Sequence, residues 1–214
     1  MKIFNSQTGK KEELVPLDGE QVKMYICGMT VYDDTHIGHA RTFLCFDLIV
    51  RYLRGAGYKV KYIRNITDVD DKIIARAKEL NVNPTELTDK YIASMQEDFD
   101  DLGMIVPDSE PRATDNIDSI ISLIEELIEN GNAYSGKSDI YFSTDSFKEY
   151  GQLSNRNTEE LIAGSRIDVD KEKKNPADFV LWKQVEEGLA WDSPWGRGRP
   201  GWHIECSAMS MDAL

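Results

Sequence analysis

From Val22 to Gly28 the chain reads VKMYICG, an apolar-rich run of strand length that a glycine stops. A polar loop follows, and then the period changes. In HIGHARTFLCFDLIVRYLRGAGY, Ile37, Ala40, Leu44 and Leu48 recur at helical spacing, and Phe43, Phe46, Ile49 and Leu53 form a second stripe. Two stripes predict a helix packed on more than one side, with Thr35 as its N-cap and an end at Gly55 or Gly57. KVKYIRNIT, residues 59–67, is β-rich and reads as a second strand. Strand, helix, strand is the βαβ pattern of a parallel sheet, so the fold class expected is α/β.

DDKIIARAKEL predicts a further helix. Asn83 as cap, Pro84 at the first helical position and Glu86 three past the cap then open another, running to about Leu102. After the loop PDSEPRATDN, Ile117, Ile120, Ile121, Ile124, Leu127 and Ile128 mark a helix that Gly131 ends. The texture then changes. NAYSGKSDIYFST predicts a small hairpin, and the polar, irregular stretch 157–178 has the character of an insertion carried on a sheet scaffold. WDSPWGRGRPGW reads as an ordered loop, or only a tightly packed corner, that feeds a last helix, HIECSAMSMDAL. Neither an internal repeat nor a low-complexity segment is found.

Composition narrows the function. The 214 residues carry 25 Lys and Arg against 38 Asp and Glu, a formal net charge of −13. Such a surface repels polyphosphate over most of its area, which argues against a dedicated nucleic-acid module. GYKVKYIR and KEKKNP are the strongest basic stretches, and both are short. No apolar run approaches the roughly 18 residues of a membrane span, and the first residues lack the apolar core of a secretory signal. The chain reads as cytoplasmic, with no membrane partner. Cys27, Cys45 and Cys206 are too few and too far apart for a disulfide framework. Cys45, inside TFLCFDLIV, is expected to be a small buried hydrophobe.

The chemistry-bearing stretch is TVYDDTHIGHART, where His36 and His39 stand three apart. With Asp33 and Asp34 they could begin a metal site. At a helix start after a parallel strand they could instead meet phosphates, because free N–H groups and the helix dipole there favour anions. A plain structural pair is the third reading. Gly38 would let a flat base approach the backbone. The loop after the first strand, CGMTVYDDTHIG, has neither the dinucleotide-binding glycine pattern nor a P-loop.

HIGH at 36–39 is similar to the first signature of class I aminoacyl-tRNA synthetases. It stands after YICGMTVYD and before NITDVDDKI, NPADFVLWK and GRPGWHIECSAM. Together these resemble the cysteinyl-tRNA synthetase family over essentially the whole chain. The resemblance implies a Rossmann-like catalytic domain, with residues 1–112 as its first half, 113–190 as a connective insertion and 191–214 as the start of an incomplete second half. It implies that cysteine is activated by ATP, with Mg2+, and passed to tRNA(Cys), with tRNA contacts mostly outside this piece. His36 and His39 are then the catalytic pair on the phosphates, and Gly28, Thr30 and Gly38 join them around ATP. Thr67, Trp202 and His203 are expected to lie against the substrate cysteine, and Cys27 and Cys206 to hold Zn2+. Trp202 has the alternative of a core aromatic, and Asp70 and Asp71 that of merely starting a helix.

Two family elements are missing from these 214 residues. One is the lysine-rich second signature, which steadies pyrophosphate. The other is the later His and Glu that complete the zinc set. The zinc site is therefore expected to be incomplete, and this chain weakly active or inactive alone. A ligase of the mycothiol pathway, which joins cysteine to an amino sugar, and a nucleotide-binding fragment without catalysis are the alternatives.

Overall fold

The computed structural model describes residues 1–154 and 172–214. A short antiparallel hairpin opens the chain, β1 (Lys2–Asn5) and β2 (Lys10–Glu13). Both strands are four residues long and largely exposed, and β2 is charged throughout, which is why hydrophobic patterning gives no hint of them. β3 (Gln21–Ile26), α1 (Ile37–Gly55) and β4 (Lys59–Arg64) form the expected unit, and β3 pairs parallel to β4 from Gln21 opposite Lys59 to Ile26 opposite Arg64. Parallel bridges of Ile63 to Ser109 and Ile66 to Arg112 place a third, strand-like segment on the far side of β4. α2 (Asp71–Leu80), α3 (Pro84–Asp101) and α4 (Ile117–Glu129) follow the helical periodicity closely, with Asn83 capping α3 through the Thr85 N–H at 2.8 Å.

α1 departs from its pattern. Phe43, Val50 and Leu53 are buried, whereas Ile37 is 86% and Leu48 67% exposed, so the helix packs on one face here and the other stripe is bare. Cys45 is exposed with that second face, contrary to expectation: its apolar neighbours belong to the open stripe. Thr35 is not the cap. His36 takes that place, and the Thr35 hydroxyl turns to Asp98 on α3.

The second half of the chain builds an antiparallel sheet in the order β5-β6-β7-β8. β5 (Ala133–Ser135) and β6 (Ile140–Phe142) are the predicted hairpin; β7 (Phe179–Gln184) and β8 (Gly198–Pro200) add two strands. β8 lies within the tryptophan- and glycine-rich stretch, where composition masked a strand of three residues. α5 (Ile204–Ala213) closes the chain. Most of the stretch expected to be polar and irregular falls at 157–171, outside the described residues.

Two apolar cores result. Val22, Ile26, Phe43, Val50, Tyr62 and Ile66 of the βαβ unit meet Ile73 of α2 and Leu87, Ile92 and Phe99 of α3. Ile120 and Ile124 of α4, Trp182 of β7 and Ile204 and Ala208 of α5 make the other. A small cluster of Val69, Ala113 and Met209 joins the two halves, and Asp71 ties α2 to the antiparallel sheet through Lys183 at 2.8 Å and through Arg199.

One charged group lies deep in the first core. Arg64 at the end of β4 is 4% exposed, donates to Glu110 at 2.8 Å and lies 4.5 Å from the centroid of the Phe99 ring. Removing one partner of a buried pair strands the other charge, which costs about 3 kcal/mol. Arg64→Ala is expected to lose about that much in urea unfolding, and Glu110→Ala a comparable amount, with the double variant losing less than the sum of the two. Strict additivity would show that the pair does not act as a unit.

Candidate functional site

The site grows from the carboxyl ends of the parallel strands, where open α/β sheets bind their ligands. β3 ends at Ile26, and Cys27 and Gly28 pass directly over the end of β4. A Cβ on Gly28 would lie 1.7 Å from the Asn65 carbonyl oxygen, so only glycine allows this crossing. The Gly28 N–H donates to Asn65 Oδ1 at 2.8 Å, which fixes it. Beyond it Thr30 bridges Thr67 in parallel; the Val31 N–H donates to the Thr67 carbonyl and the Thr67 N–H to that of Met29, each at 3.2 Å. Thr67 is buried, and its hydroxyl accepts from Asn65 Nδ2 at 3.1 Å.

The loop that follows is held by three successive side chains. Asp33 pairs with Arg76 of α2 at 3.3 Å, Asp34 accepts from Ser94 of α3 at 3.1 Å, and the Thr35 hydroxyl donates to Asp98. So anchored, the chain enters α1 with His36 as N-cap. His36 Nδ1 accepts from the Gly38 N–H at 3.0 Å, and His39 Nδ1 accepts from the His36 N–H at 3.3 Å. This is a capping box made of two imidazoles, stacked with their centroids 3.9 Å apart. Gly38 is needed for it, since a Cβ there would meet the His36 ring at 2.7 Å. In this arrangement its bareness serves the neighbouring ring.

The cap fixes the tautomer. With both Nδ1 atoms accepting, neutral rings carry their protons on Nε2, free to donate outward. Burial and the neighbouring His36 hold the His39 pKa below the usual histidine range, so its ring is neutral at pH 7. A cavity of about 250 Å³ runs from Cys27, Gly28 and Thr30 to His39, with Lys72 and Tyr32 also on its wall.

Beside the strand crossing lies a cluster of soft donors. Cys27, His203 and Cys206 offer ligand atoms that all lie within 4.8 Å of one another. Cys206 is buried in the first turn of α5, with Asn65 Oδ1 and Glu205 Oε1 each 3.8 Å from its sulfur. The Cys206 thiol, hydrogen-bonded to Cys27, lowers the Cys27 pKa to about 7 and keeps its own proton. The proton of the pair therefore stays on Cys206. His203 has φ +73°, in the left-handed region that a non-glycine residue rarely adopts, and its ring stacks on Trp202 at 4.2 Å. Burial holds its pKa low, so it too is a neutral imidazole, with one ring nitrogen's lone pair to offer. Trp202 is 69% exposed, which removes the core-aromatic reading.

The donor set suits zinc. Two thiols and an imidazole are its preferred ligands, and next to Cys206 the other Glu205 carboxylate oxygen, Oε2, is buried with no hydrogen-bond partner among the described residues. Burial raises Glu205 to about 6, as expected of a carboxylate with no cation beside it. The sequence placed Cys27 and Cys206 together only through resemblance; that His203 stands with them depends on the left-handed turn before α5. Lys72 and Glu205 were not singled out at all. Their positions come from how α2 and α5 pack, and no local pattern carries that.

The parallel strand pair with a histidine-capped helix at its carboxyl end is an α/β arrangement of the kind class I synthetase catalytic domains carry. The chain belongs to the class I (C) tRNA synthetase catalytic domain family, which matches residues 13–214. Among its relatives are three proteins named cysteine–tRNA ligase, each aligned over 216 residues, 100% of this chain and 47% of its own length. That of Halorhodospira halophila is 59% identical, that of Pasteurella multocida 56%, and that of Actinobacillus pleuropneumoniae serotype 5b 55%. The chain thus spans about half the length of the curated relatives it matches. In fold it is similar to Mycobacterium tuberculosis methionyl-tRNA synthetase in complex with methionyl-adenylate, with a TM-score of 0.69 and 12% identity over 91% of this chain and 47% of that one.

The imidazole cap should be visible in stability. His39→Ala removes an acceptor from the start of α1 and is expected to cost about 1 kcal/mol. It should also change the pH dependence. With the folded pKa of His39 below its unfolded value of about 6.5, the contribution is complete above that value and is lost as pH falls through the window beneath it. The difference between wild type and His39→Ala in chemical denaturation should shrink across that window. A constant difference would mean that His39 does not accept a hydrogen bond in the cap.

Proposed function

We propose that this chain supplies the nucleotide and amino-acid pocket of an enzyme that joins cysteine to tRNA(Cys) through cysteinyl-adenylate. The observation that carries the reading is that one cavity joins Cys27, at the thiol–imidazole cluster, to His39, at the start of α1. A ligand reaching both ends carries a group for a soft metal and a group for a phosphate site. Cysteine together with ATP answers that description.

Cys27, Cys206 and His203 would hold the metal, with the Glu205 carboxylate beside them. A zinc ion held there would favour a substrate thiolate over the harder hydroxyl of serine, a distinction that binding alone can make large. Thr67 and Trp202 border the amino acid, and Gly28, Thr30 and Gly38 keep backbone close to the nucleotide. The carboxylate oxygen attacks the α-phosphorus of ATP, the bond to the β-phosphate oxygen breaks, and pyrophosphate leaves with the electron pair. Mg2+ entering with ATP would offset the charge of those phosphates. The Nε2–H groups of His36 and His39, held outward by the cap, donate to the phosphate oxygens as charge builds there. No covalent enzyme intermediate is formed; positioning and charge stabilisation do the work.

On this reading residues 1–112 are the first half of the catalytic domain, 113–190 the connective insertion and 191–214 the start of the second half. The remaining half carried by the relatives supplies the lysine-rich loop and most of the tRNA contacts, which accords with a net charge of −13 on this piece.

The chain joined to that remaining half is expected to exchange pyrophosphate into ATP when given L-cysteine and to ignore L-serine. His39→Ala in that protein should lower the exchange rate by about 10²-fold, the worth of one positioned donor. Equal exchange with serine would contradict the soft-metal account of specificity.

A further inference from the structure

The cavity between Cys27 and His39 has to accept two anions, the amino-acid carboxylate and the α-phosphate. His39 is neutral at pH 7, so it can donate a hydrogen bond but cannot cancel charge. Among the residues described on the cavity wall, the formal positive charge is that of Lys72.

Lys72 is the second residue of α2, and its Nζ lies over the Tyr32 ring, 5.7 Å from the centroid. Asp70 and Asp71, its neighbours in the chain, and Asp33, next to Tyr32, are occupied elsewhere. Asp70 Oδ1 accepts the Lys72 backbone N–H at 2.8 Å and caps the helix. Asp71 faces the antiparallel sheet and bridges Lys183, at 2.8 Å, and Arg199. Asp33 is drawn to Arg76 at 3.3 Å. Among the described residues no carboxylate pairs with the Lys72 ammonium, in a chain where 38 acids outnumber 25 basic residues. An unneutralised ammonium on a pocket wall, in so acidic a protein, is suited to an incoming anion. The aromatic face beneath it holds it in place without cancelling its charge.

We propose that Lys72 is the shared counter-charge of the two substrates: its ammonium sits between the amino-acid carboxylate and the α-phosphate and lets both occupy the cavity at once. The proposal rests on the nucleotide and amino-acid reading above. Two anions brought together in a partly desolvated site repel far more than in water, and a fixed cation between them removes that cost in the ground state. The new bond is still carboxylate oxygen to phosphorus, and the electron pair still leaves with pyrophosphate, so Lys72 is a binding residue and no proton donor.

The test is the coupling between the two ligands. ATP is titrated into the zinc-loaded chain by calorimetry, alone, with saturating L-cysteine, and with saturating cysteamine, which keeps the thiol and amine but has no carboxylate. In the wild type, cysteine and cysteamine should leave ATP affinity about equal. In Lys72→Gln, cysteine should weaken ATP binding by about tenfold, within the usual range of coupling between sites, while cysteamine should leave it unchanged. Lys72→Arg should restore the wild-type pattern. Equal coupling in wild type and Lys72→Gln would overturn the proposal and leave the nucleotide reading intact. So would a Lys72→Gln loss that is the same with cysteamine, since Lys72 would then serve the phosphates alone. If the wild type bound ATP but neither thiol ligand, or bound nothing, the underlying reading would fail and this proposal with it.

Discussion

The site depends on a close crossing of two strand ends. Where Gly28 passes the Asn65 carbonyl there is no room for a Cβ, and the Gly28 N–H is bonded to the Asn65 side chain. That contact sets the path of the chain on both sides. Upstream it leaves Cys27 at the mouth of the sheet; downstream it starts the parallel bridge of Thr30 with Thr67. Asn65 serves a third purpose, because its Oδ1 also lies 3.8 Å from the Cys206 sulfur. One asparagine thus links β4 to the loop after β3 and to the first turn of α5. These are the segments that carry the thiols.

In the histidine pair one nitrogen of each ring serves the helix cap and leaves the other for the ligand of the proposed function. The Nδ1 atoms satisfy backbone donors that a helix start always leaves open, and this directs the Nε2–H groups outward. A capping serine would close the helix equally well but would offer no second, oppositely directed donor. The loop before it is pinned by Arg76, Ser94 and Asp98, which come from α2 and α3. The anchoring of the histidine end of the cavity therefore derives from helices that do not themselves carry the motif.

Much of this was legible in the sequence, for reasons that differ from element to element. The βαβ unit and the caps of α3 follow from local periodicity and capping chemistry, and both stand as expected. The outer stripe of α1 misleads, because periodicity reports that a face is apolar and not what covers it; Cys45 was misjudged on the same ground. β1, β2 and β8 escaped notice because a strand of three or four residues is too short to carry a period. Within the site, His36, His39, Cys27 and Cys206 could be named through family resemblance. The approach of His203 to the thiols depends on one left-handed residue, and the isolation of Lys72 depends on where three aspartates point. Those are tertiary facts, and no spacing announces them.

The central claim of the proposed function is that the cluster of Cys27, His203 and Cys206 holds a soft metal, with Cys27 on the wall of the same cavity as His39 at the histidine-capped start of α1. X-ray absorption at the zinc edge of the metal-loaded chain tests it most directly. The account predicts two sulfur ligands at about 2.3 Å and at least one imidazole nitrogen at about 2.0–2.1 Å, with a third sulfur on adding L-cysteine and none on adding L-serine. A zinc shell of oxygen and nitrogen alone, or one that ignores cysteine, would contradict it.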